Sequence, residues 1–154
     1  MNLVLMDTNI ILRSVQPAHI MYPDAINAQT ELRRRGEQPC LVAQNLIEFR
    51  AVATHPAALN GLGLNQSSAD AEIARLKLLY PILADVPAIL PEWERLVSIS
   101  GAEGKQNHDA RIAAAMLVHG IPTILTFNKS DFTRYPGITV LTPQEVLNSP
   151  SATP

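Results

Sequence analysis

The sequence predicts an α/β fold, a three-layer α/β/α sandwich with a mostly parallel central sheet. Short apolar runs alternate with longer amphipathic segments along the chain, and such alternation is typical of a parallel sheet covered by helices on both faces. Proline and glycine mark the turns between the segments. We find no repeat and no linker, so we expect one domain over residues 1–147 and a flexible tail over residues 148–154.

The first half of the chain predicts two strand–helix pairs. The strands are short apolar runs at residues 3–6 and 39–43, and the helices cover residues 23–36 and 44–54. Pro23 suits the first turn of a helix and Gly36 suits the end of the same helix. Residues 56–67 have no periodicity and predict a loop. Gly61-Leu62-Gly63 in that loop lacks the third glycine of a dinucleotide-binding motif, so we expect no such site.

The second half predicts three helices, two strands and a short terminal helix. A helix capped by Ser68 is expected to end at Tyr80, with Ile73, Leu76, Leu79 and Tyr80 facing inward. The remaining predicted segments are an extended stretch at residues 81–90, helices at 91–101 and 109–119, strands at 121–127 and 138–141, and a helix at 143–147.

Composition limits the classes of function. The chain has 154 residues, 47% of them hydrophobic, and a formal net charge of −2. At this length folding buries roughly 68 to 70% of the surface of the unfolded chain, which supplies a sufficient core. The near-neutral charge excludes a binder of nucleic acid that relies on a broad basic surface. A polyanion would have to be held by local patches or by metal ions.

The single cysteine and the N-terminal segment carry further expectations. Cys40 stands alone, so no disulfide can form within the chain, and its apolar surroundings favour a small buried hydrophobic residue over a nucleophile. The chain shows no signal peptide and no apolar run near the ~20 residues needed to cross a bilayer. We therefore expect a cytoplasmic protein without membrane attachment.

Four carboxylates occupy positions that should meet at one edge of the sheet. Asp7 directly follows the first predicted strand, and Asp131 lies in the loop after the strand at residues 121–127. Asp109 begins a helix that leads into that strand, and Glu48 lies one turn into the helix after the second strand. Ligands of open parallel sheets bind at the carboxyl ends of the strands.

Each carboxylate also has a purely structural interpretation. Asp7 could cap a helix or form an Asx turn, and Asp109 could be a helix N-cap. Glu48 could be a half-exposed helix residue paired with Arg50 or Gln44, and Asp131 an ordinary loop acid. Four acids converging without matching cations are harder to explain in this way, because like charges at close range require a divalent metal for neutralisation.

Five segments carry a resemblance to a known family. They are Met6-Asp7-Thr8-Asn9, residues 45–49 around Glu48, residues 108–114 beginning His108-Asp109, residues 126–132 with Asn128 and Asp131, and residues 136–140. In this order and spacing the chain resembles PIN domains, and more closely the VapC-like toxin ribonucleases of toxin–antitoxin pairs. The resemblance spans residues 1 to about 147.

The resemblance implies a divalent-metal endoribonuclease. Asp7, Glu48, Asp109 and Asp131 would be both the catalytic residues and the ligands of Mg²⁺ or Mn²⁺. Thr8, Asn9, Thr126 and Asn128 would give polar support. Water would attack the scissile phosphorus in line, leaving 5′-phosphate and 3′-hydroxyl ends. The implied partners are an RNA substrate and a cognate antitoxin protein.

Basic residues beside these motifs are candidates for RNA contacts. They are Lys105, Arg111, Lys129 and Arg134, and each could equally be an ordinary surface residue. His108 adjoins Asp109, but in such a family the metal replaces a histidine base, so we expect His108 to support the site or to lie at the surface. Apolar residues 73–83 also suggest a surface for homodimer formation.

Two other functions compete with the nuclease. The first is a catalytically silent PIN-like module that binds RNA or protein, which the presence of all four acids disfavours. The second is a phosphoacceptor at Asp7. Hydrolases of that kind need a second aspartate two residues later, and Asn9 occupies that position.

Overall fold

The computed structural model describes residues 2–149, which form five strands and seven α-helices. In chain order these are β1 (Asn2–Met6), α1 (Thr8–Ser14), α2 (Tyr22–Arg34), β2 (Glu37–Val42), α3 (Ala43–Ala53), α4 (Gln66–Leu79), β3 (Ile82–Leu83), α5 (Ile89–Ser100), α6 (Gln106–His119), β4 (Thr123–Leu125), β5 (Thr139–Leu141) and α7 (Pro143–Asn148). Short 3₁₀ turns lie at Ala57–Leu59 and Lys129–Asp131. The end of the predicted tail, residues 150–154, lies outside the described residues.

All five strands are parallel and lie in the order β3-β2-β1-β4-β5. The chain starts at the centre of the sheet, builds outward through β2 and β3, then returns to add β4 and β5 on the other side of β1. The direction of winding therefore reverses between β1 and β4. In open parallel sheets this reversal opens a crevice at the carboxyl ends of the two strands.

Alternate side chains of β1 pack into separate cores on the two faces of the sheet. Leu5 lies in a core completed by α5 and α6. Val4 and Met6 lie in a second core completed by α1, α2, α3, α4 and α7. The period of two along a strand places neighbouring residues on opposite faces. The structure therefore confirms the three-layer sandwich, with a sheet that is wholly parallel.

Cys40 is fully buried in the core beside α5 and α6. Burial raises the pKa of its thiol to about 12, because the thiolate loses its hydration in an apolar environment. The residue is therefore a small buried hydrophobe, as predicted.

β2 begins at Glu37, two residues earlier than predicted, and includes Pro39. The amide of Leu41 points toward the β3 side, where it donates to the carbonyl of Pro81. Alternate residues of a strand point the same way, so the missing N–H of Pro39 faces that side too. β3 pairs only with Leu41 and Val42, and the proline therefore removes no ladder hydrogen bond.

Several predicted boundaries were wrong. α4 is capped by Asn65, whose Oδ1 accepts from the Ser68 amide at 2.8 Å, so Ser68 lies inside the helix. α6 begins at Gln106 instead of Asp109, and α5 begins at Ile89. β4 is shorter than predicted because the amide of Phe127 leaves the sheet to donate to the Asn9 side chain.

Other differences concern elements without a clear signal in the sequence. α1 was not predicted, and the extended stretch after α4 contains only the two-residue β3. α7 ends at Asn148, one residue beyond the predicted domain boundary. Leu79 is 47% exposed, contrary to prediction, whereas Leu76 and Tyr80 are buried and Ile73 is partly buried. No helix within residues 2–149 has the length and apolar character needed to cross a bilayer.

The loop after α3 turns back on itself at His55. The carbonyl of His55 accepts from the Gly63 amide at 2.8 Å, and the Gly61 amide donates to Pro56 at 3.0 Å. A Cβ atom placed on Gly61 would lie 2.0 Å from the His55 carbonyl oxygen. Gly61 thus serves close backbone packing and not a dinucleotide site, in agreement with the sequence.

We expect Gly61→Ala to lower the melting temperature by roughly 5 °C or more, because two backbone segments must separate to admit the methyl group. Gly104→Ala is the matched control. Its Cβ would enter open space at a φ of +53°, so it carries only the cost of the left-handed conformation, about 1 to 2 kcal/mol. Thermal unfolding of both variants would contradict the assignment if Gly61→Ala proved the milder one.

Candidate active site

Asp7 lies at the junction of β1 and α1, where the winding of the sheet reverses. Its Oδ1 accepts from the Thr8 amide at 2.8 Å and caps α1, and its Oδ2 accepts from Thr126 Oγ1 at 2.7 Å. The side chain is only 8% exposed. The capping interpretation was correct, and the same carboxylate also faces the crevice.

Thr126 and Asn9 fix the ends of β1 and β4 to one another. Asn9 donates to Thr126 Oγ1 at 3.3 Å and accepts from the Phe127 amide at 3.2 Å. The Asn128 amide also donates to Thr126 Oγ1, at 3.0 Å. Asn128 contributes only its backbone here: its side chain is exposed and makes no hydrogen bond with any residue from 2 to 149. The resemblance had suggested a side-chain role.

Glu48 reaches the same place from α3. Its Oε1 accepts from Thr8 Oγ1 at 2.6 Å, and its Oε2 accepts from Gln44 Nε2 at 2.9 Å. The expected pairing with Gln44 is therefore present, whereas Arg50 forms its ion pair with Asp70. The Thr8 hydroxyl connects Glu48 to the residue that follows Asp7.

Gln44 and Asn45 are polar residues of the site, and the sequence suggested only the pairing of Gln44 with Glu48. The Thr8 hydroxyl accepts from Asn45 Nδ2 at 3.3 Å, and Asn45 Oδ1 accepts from the Val42 amide at 2.9 Å. Gln44 donates to the His108 carbonyl at 2.8 Å and accepts from Arg111 Nη1 at 3.1 Å. The spacing of four residues between Gln44 and Glu48 was the available signal.

Asp109 and Asp131 complete the set of four acids. Asp109 lies in the first turn of α6, inside the helix and not at its N-cap, and Asp131 ends the 3₁₀ turn after β4. Both side chains are half-buried. Neither carboxylate accepts a hydrogen bond from a group within residues 2–149.

The pKa values show that the acids act on one another. Burial raises the pKa of Asp7 to about 6; hydrogen bonds from Thr126 and Thr8 oppose the shift, and the charges of Glu48 and Asp109 add to it. Burial also raises the pKa of Asp109 to about 6, with the negative charge of Asp131 as the next cause. Glu48 adds to that shift, and Lys105 and His108 oppose it. The four carboxylates therefore share one electrostatic environment.

The acids have no neutralising ion pairs. All seven salt bridges of residues 2–149 involve other carboxylates. No three potential ligands in that range converge closely enough to hold one ion together. Carboxylate oxygens are nevertheless the donors that Mg²⁺ and Mn²⁺ prefer, and Mg²⁺ commonly takes only one or two of them and retains several waters. The donor chemistry fits such an ion.

The basic candidates differ in their surroundings. Lys129 pairs with Glu145 at 2.9 Å, and Arg111 contacts Asp85 at 3.1 Å. Lys105 is exposed near Asp109, and Arg134 is exposed one residue before Tyr135. His108 is also exposed and offers only its carbonyl to Gln44. His108 therefore lies at the surface, one of the two positions expected for it.

Comparison with known proteins identified relatives only among solved structures. No family model and no curated protein matches the chain. A VapBC-1 structure from nontypeable Haemophilus influenzae has a TM-score of 0.67 and 16% identity, covering 92% of this chain and 98% of that one. VapBC2 from Rickettsia felis, bound to a DNA fragment from its promoter, has a TM-score of 0.66 and 15% identity, covering 91% and 98%.

A third structure comes from Mycobacterium tuberculosis. It is VapC20, described as a toxin that cleaves the Sarcin-Ricin loop, with a TM-score of 0.56 and 18% identity over 79% of this chain and 86% of that one. At these low identities the similarity concerns the course of the backbone. Over most of its length, the chain has the α/β fold of the PIN-domain VapC toxins.

Proposed function

We propose that this protein is a divalent-metal-dependent endoribonuclease and the toxin of a toxin–antitoxin pair. The observation that carries the proposal is the group formed by Asp7, Glu48, Asp109 and Asp131. These acids lie near the carboxyl-end edge of the sheet, shift one another's pKa values and form no ion pairs within residues 2–149. Such an arrangement is unfavourable for stability alone and is typical of a functional site.

Asp7, Glu48, Asp109 and Asp131 are the candidate ligands of Mg²⁺ or Mn²⁺, of which one ion would take one or two and keep several waters. When bound, the ion would supply Lewis-acid activation of water and of the scissile phosphodiester. Hydrogen bonds fix the donors in advance: Thr8 and Thr126 orient Asp7, and Gln44 orients Glu48. Asp109 and Asp131 keep their oxygens free of hydrogen bonds from residues 2–149 and so remain available to a ligand.

The expected partners follow from the structural relatives. Two of them were solved as VapBC proteins, and one is named as a toxin that cleaves the Sarcin-Ricin loop. For this chain we propose a cognate antitoxin, an RNA substrate and action in the cytoplasm. Lys105 is exposed near Asp109, and Arg134 is exposed beside Tyr135, whose pKa the charges of Asp109 and Asp131 also raise. Both cations would contact phosphates beside the cleaved bond.

We predict that Asp109→Asn removes metal-dependent RNA cleavage and leaves the circular dichroism spectrum unchanged. The amide keeps the size of the side chain and weakens its bond to a cation. Asp109 does not cap α6, so no capping interaction is lost. Cleavage of structured RNAs with Mn²⁺ and with EDTA, with the product ends mapped, is the measurement.

Glu94→Gln is the control for this variant, because it removes the same charge from an exposed position on α5. It should cleave like the wild type. Retained Mn²⁺-dependent cleavage in Asp109→Asn would contradict the assignment of the acids. Loss of cleavage in both variants would point to overall charge instead of ligation.

The metal-free protein should become less stable as the pH rises from about 4 to about 6. The folded protein holds protons on Asp7 and Asp109 up to about pH 6, whereas the unfolded chain releases them near pH 3.8. A raised carboxyl pKa therefore stabilises the fold at low pH and ceases to do so above pH 6. Each pKa unit corresponds to about 1.4 kcal/mol. Melting curves in EDTA across this range test the sign.

The same melting curves distinguish stabilisation by a bound metal ion from stabilisation by bound protons. Mn²⁺ at 100 times its dissociation constant should add about 2.7 kcal/mol, or very roughly 5 to 10 °C. This gain should be larger at pH 7 than at pH 5, because protons compete for the carboxylates. Asp109→Asn should melt higher than the wild type in EDTA at pH 7 and gain less from Mn²⁺. A variant that melts lower and gains equally would contradict a shared site.

We also propose a homodimer. Leu76 and Tyr80, two residues of the surface that the sequence suggested, are buried within the protomer, whereas Leu78 and Leu79 on α4 and Ile47 on the adjacent α3 are exposed. Light scattering at micromolar concentration should give about twice the 16.8 kDa of the chain. A mass of one chain would contradict the proposal.

A further inference from the structure

An open cavity of about 550 Å³ lies between α5, α6 and the loop that follows β3, and hydrogen bonds from Arg111 through Gln44 connect its rim to Glu48. Its lining is apolar apart from Asp85 and Arg111, and the residues used below are Pro87, Leu90 and Trp93. The volume falls in the range of small-molecule sites, and a mostly apolar wall with few polar groups is typical of them.

Trp93 is fixed in the wall of the cavity by a hydrogen bond to α6. Its indole N–H donates to the carbonyl of Asn107 at 2.8 Å. The ring's polar atom is thereby satisfied, which leaves its carbon surface for the cavity. Asn107 precedes Asp109 by two residues, so the aromatic wall and one of the acids are held by the same turn of α6.

Arg111 joins the cavity to the acids on a second path. It lines the cavity and donates to Gln44, which in turn donates to Glu48. Arg111 also pairs with Asp85, with 37% and 47% of the two side chains exposed. An exposed ion pair of this kind contributes little to stability, so the Arg111 guanidinium can exchange the carboxylate for a phosphate. A guanidinium binds phosphate more specifically than an ammonium group does.

We infer that this cavity is a nucleotide subsite, which takes the base of an RNA residue next to the cleaved phosphodiester. This inference rests on the proposed ribonuclease function. The base stacks against Trp93 and the apolar side chains of Pro87 and Leu90, and Arg111 binds the phosphate that leads toward Glu48. Proteins that read single-stranded RNA commonly hold unstacked bases on aromatic side chains, and such stacking tolerates different bases.

The cavity has an aromatic wall at one end and a cation at the other, and this chemistry favours a nucleotide over an apolar peptide. A nucleotide combines a flat apolar ring with an anion at a fixed distance, and the cavity combines an aromatic wall with a cation on its rim. The cation lies on the side of the acids, where the backbone of a bound RNA must pass.

Trp93 is the single tryptophan of the chain, so its fluorescence reports directly on the cavity. We propose titration with AMP, GMP, CMP and UMP, in EDTA and in Mg²⁺, with ribose 5-phosphate as the ligand without a base. At least one nucleotide should quench the fluorescence to saturation in one of the two buffers, and ribose 5-phosphate should not. Because this readout requires no cleavage, it tests the cavity independently of catalysis.

Leu90→Glu and Ile99→Glu form a matched pair of variants. Both positions are on α5 and similarly exposed, at 62% and 57%, but they lie nine residues apart and so on opposite faces of the helix. Leu90→Glu should weaken nucleotide binding about tenfold and raise the KM for RNA by a similar factor, as expected when one base contact is lost. Ile99→Glu should match the wild type in both measurements.

Three outcomes would overturn the subsite. The first is that none of the four nucleotides quenches the fluorescence, as expected of a cavity that holds a peptide. The second is that ribose 5-phosphate quenches it equally, and the third is that both variants bind nucleotides with equal affinity. If RNA is cleaved and any of these is found, the subsite alone fails. If RNA is not cleaved but nucleotides bind as described, the ribonuclease proposal fails and the nucleotide site remains.

Discussion

The hydrogen bond from Thr126 to Asp7 joins the ends of the two central strands, β1 and β4. It holds a buried carboxylate at the point where the sheet reverses its winding. Thr8 and Asn9, the next two residues, extend the same connection to Glu48 and back to Thr126. Neutral donors thus set the orientation of Asp7 and Glu48 without removing the charge of either carboxylate.

The electrostatics of this edge oppose the stability of the fold. Core packing on both faces of the sheet holds Asp7 and Asp109 where burial disfavours their ionised forms. Proteins retain such local costs where function requires them. A bound cation would convert mutual repulsion into ligation, and this change links the stability of the protein to the chemistry proposed for it.

α6 connects the acids to the neighbouring cavity. Its first turn carries Asp109, and the carbonyl of Asn107 in that turn accepts a hydrogen bond from the indole N–H of Trp93. Arg111, two residues after Asp109, lines the cavity. Since α5 and α6 pack closely, a shift of α6 would move the acid and the cavity wall together. The proposed base site and the proposed cleavage site would therefore both depend on one helix.

The sequence by itself determined the layer architecture, because periodicity and turn residues are local signals, and it selected four acids by their positions after strands and at the starts of helices. It missed α1, whose only start signal was Asp7 itself, and it placed the starts of α4 and α6 two or three residues late. The sequence could not show which side chains form hydrogen bonds with one another or where cavities lie. Only the tertiary structure showed that Gln44 joins Glu48 to Arg111 and that Trp93 lines a cavity. Gln44 and Arg111 lie 67 positions apart, and the cavity depends on how α5 packs against α6. No local pattern in the sequence encodes either.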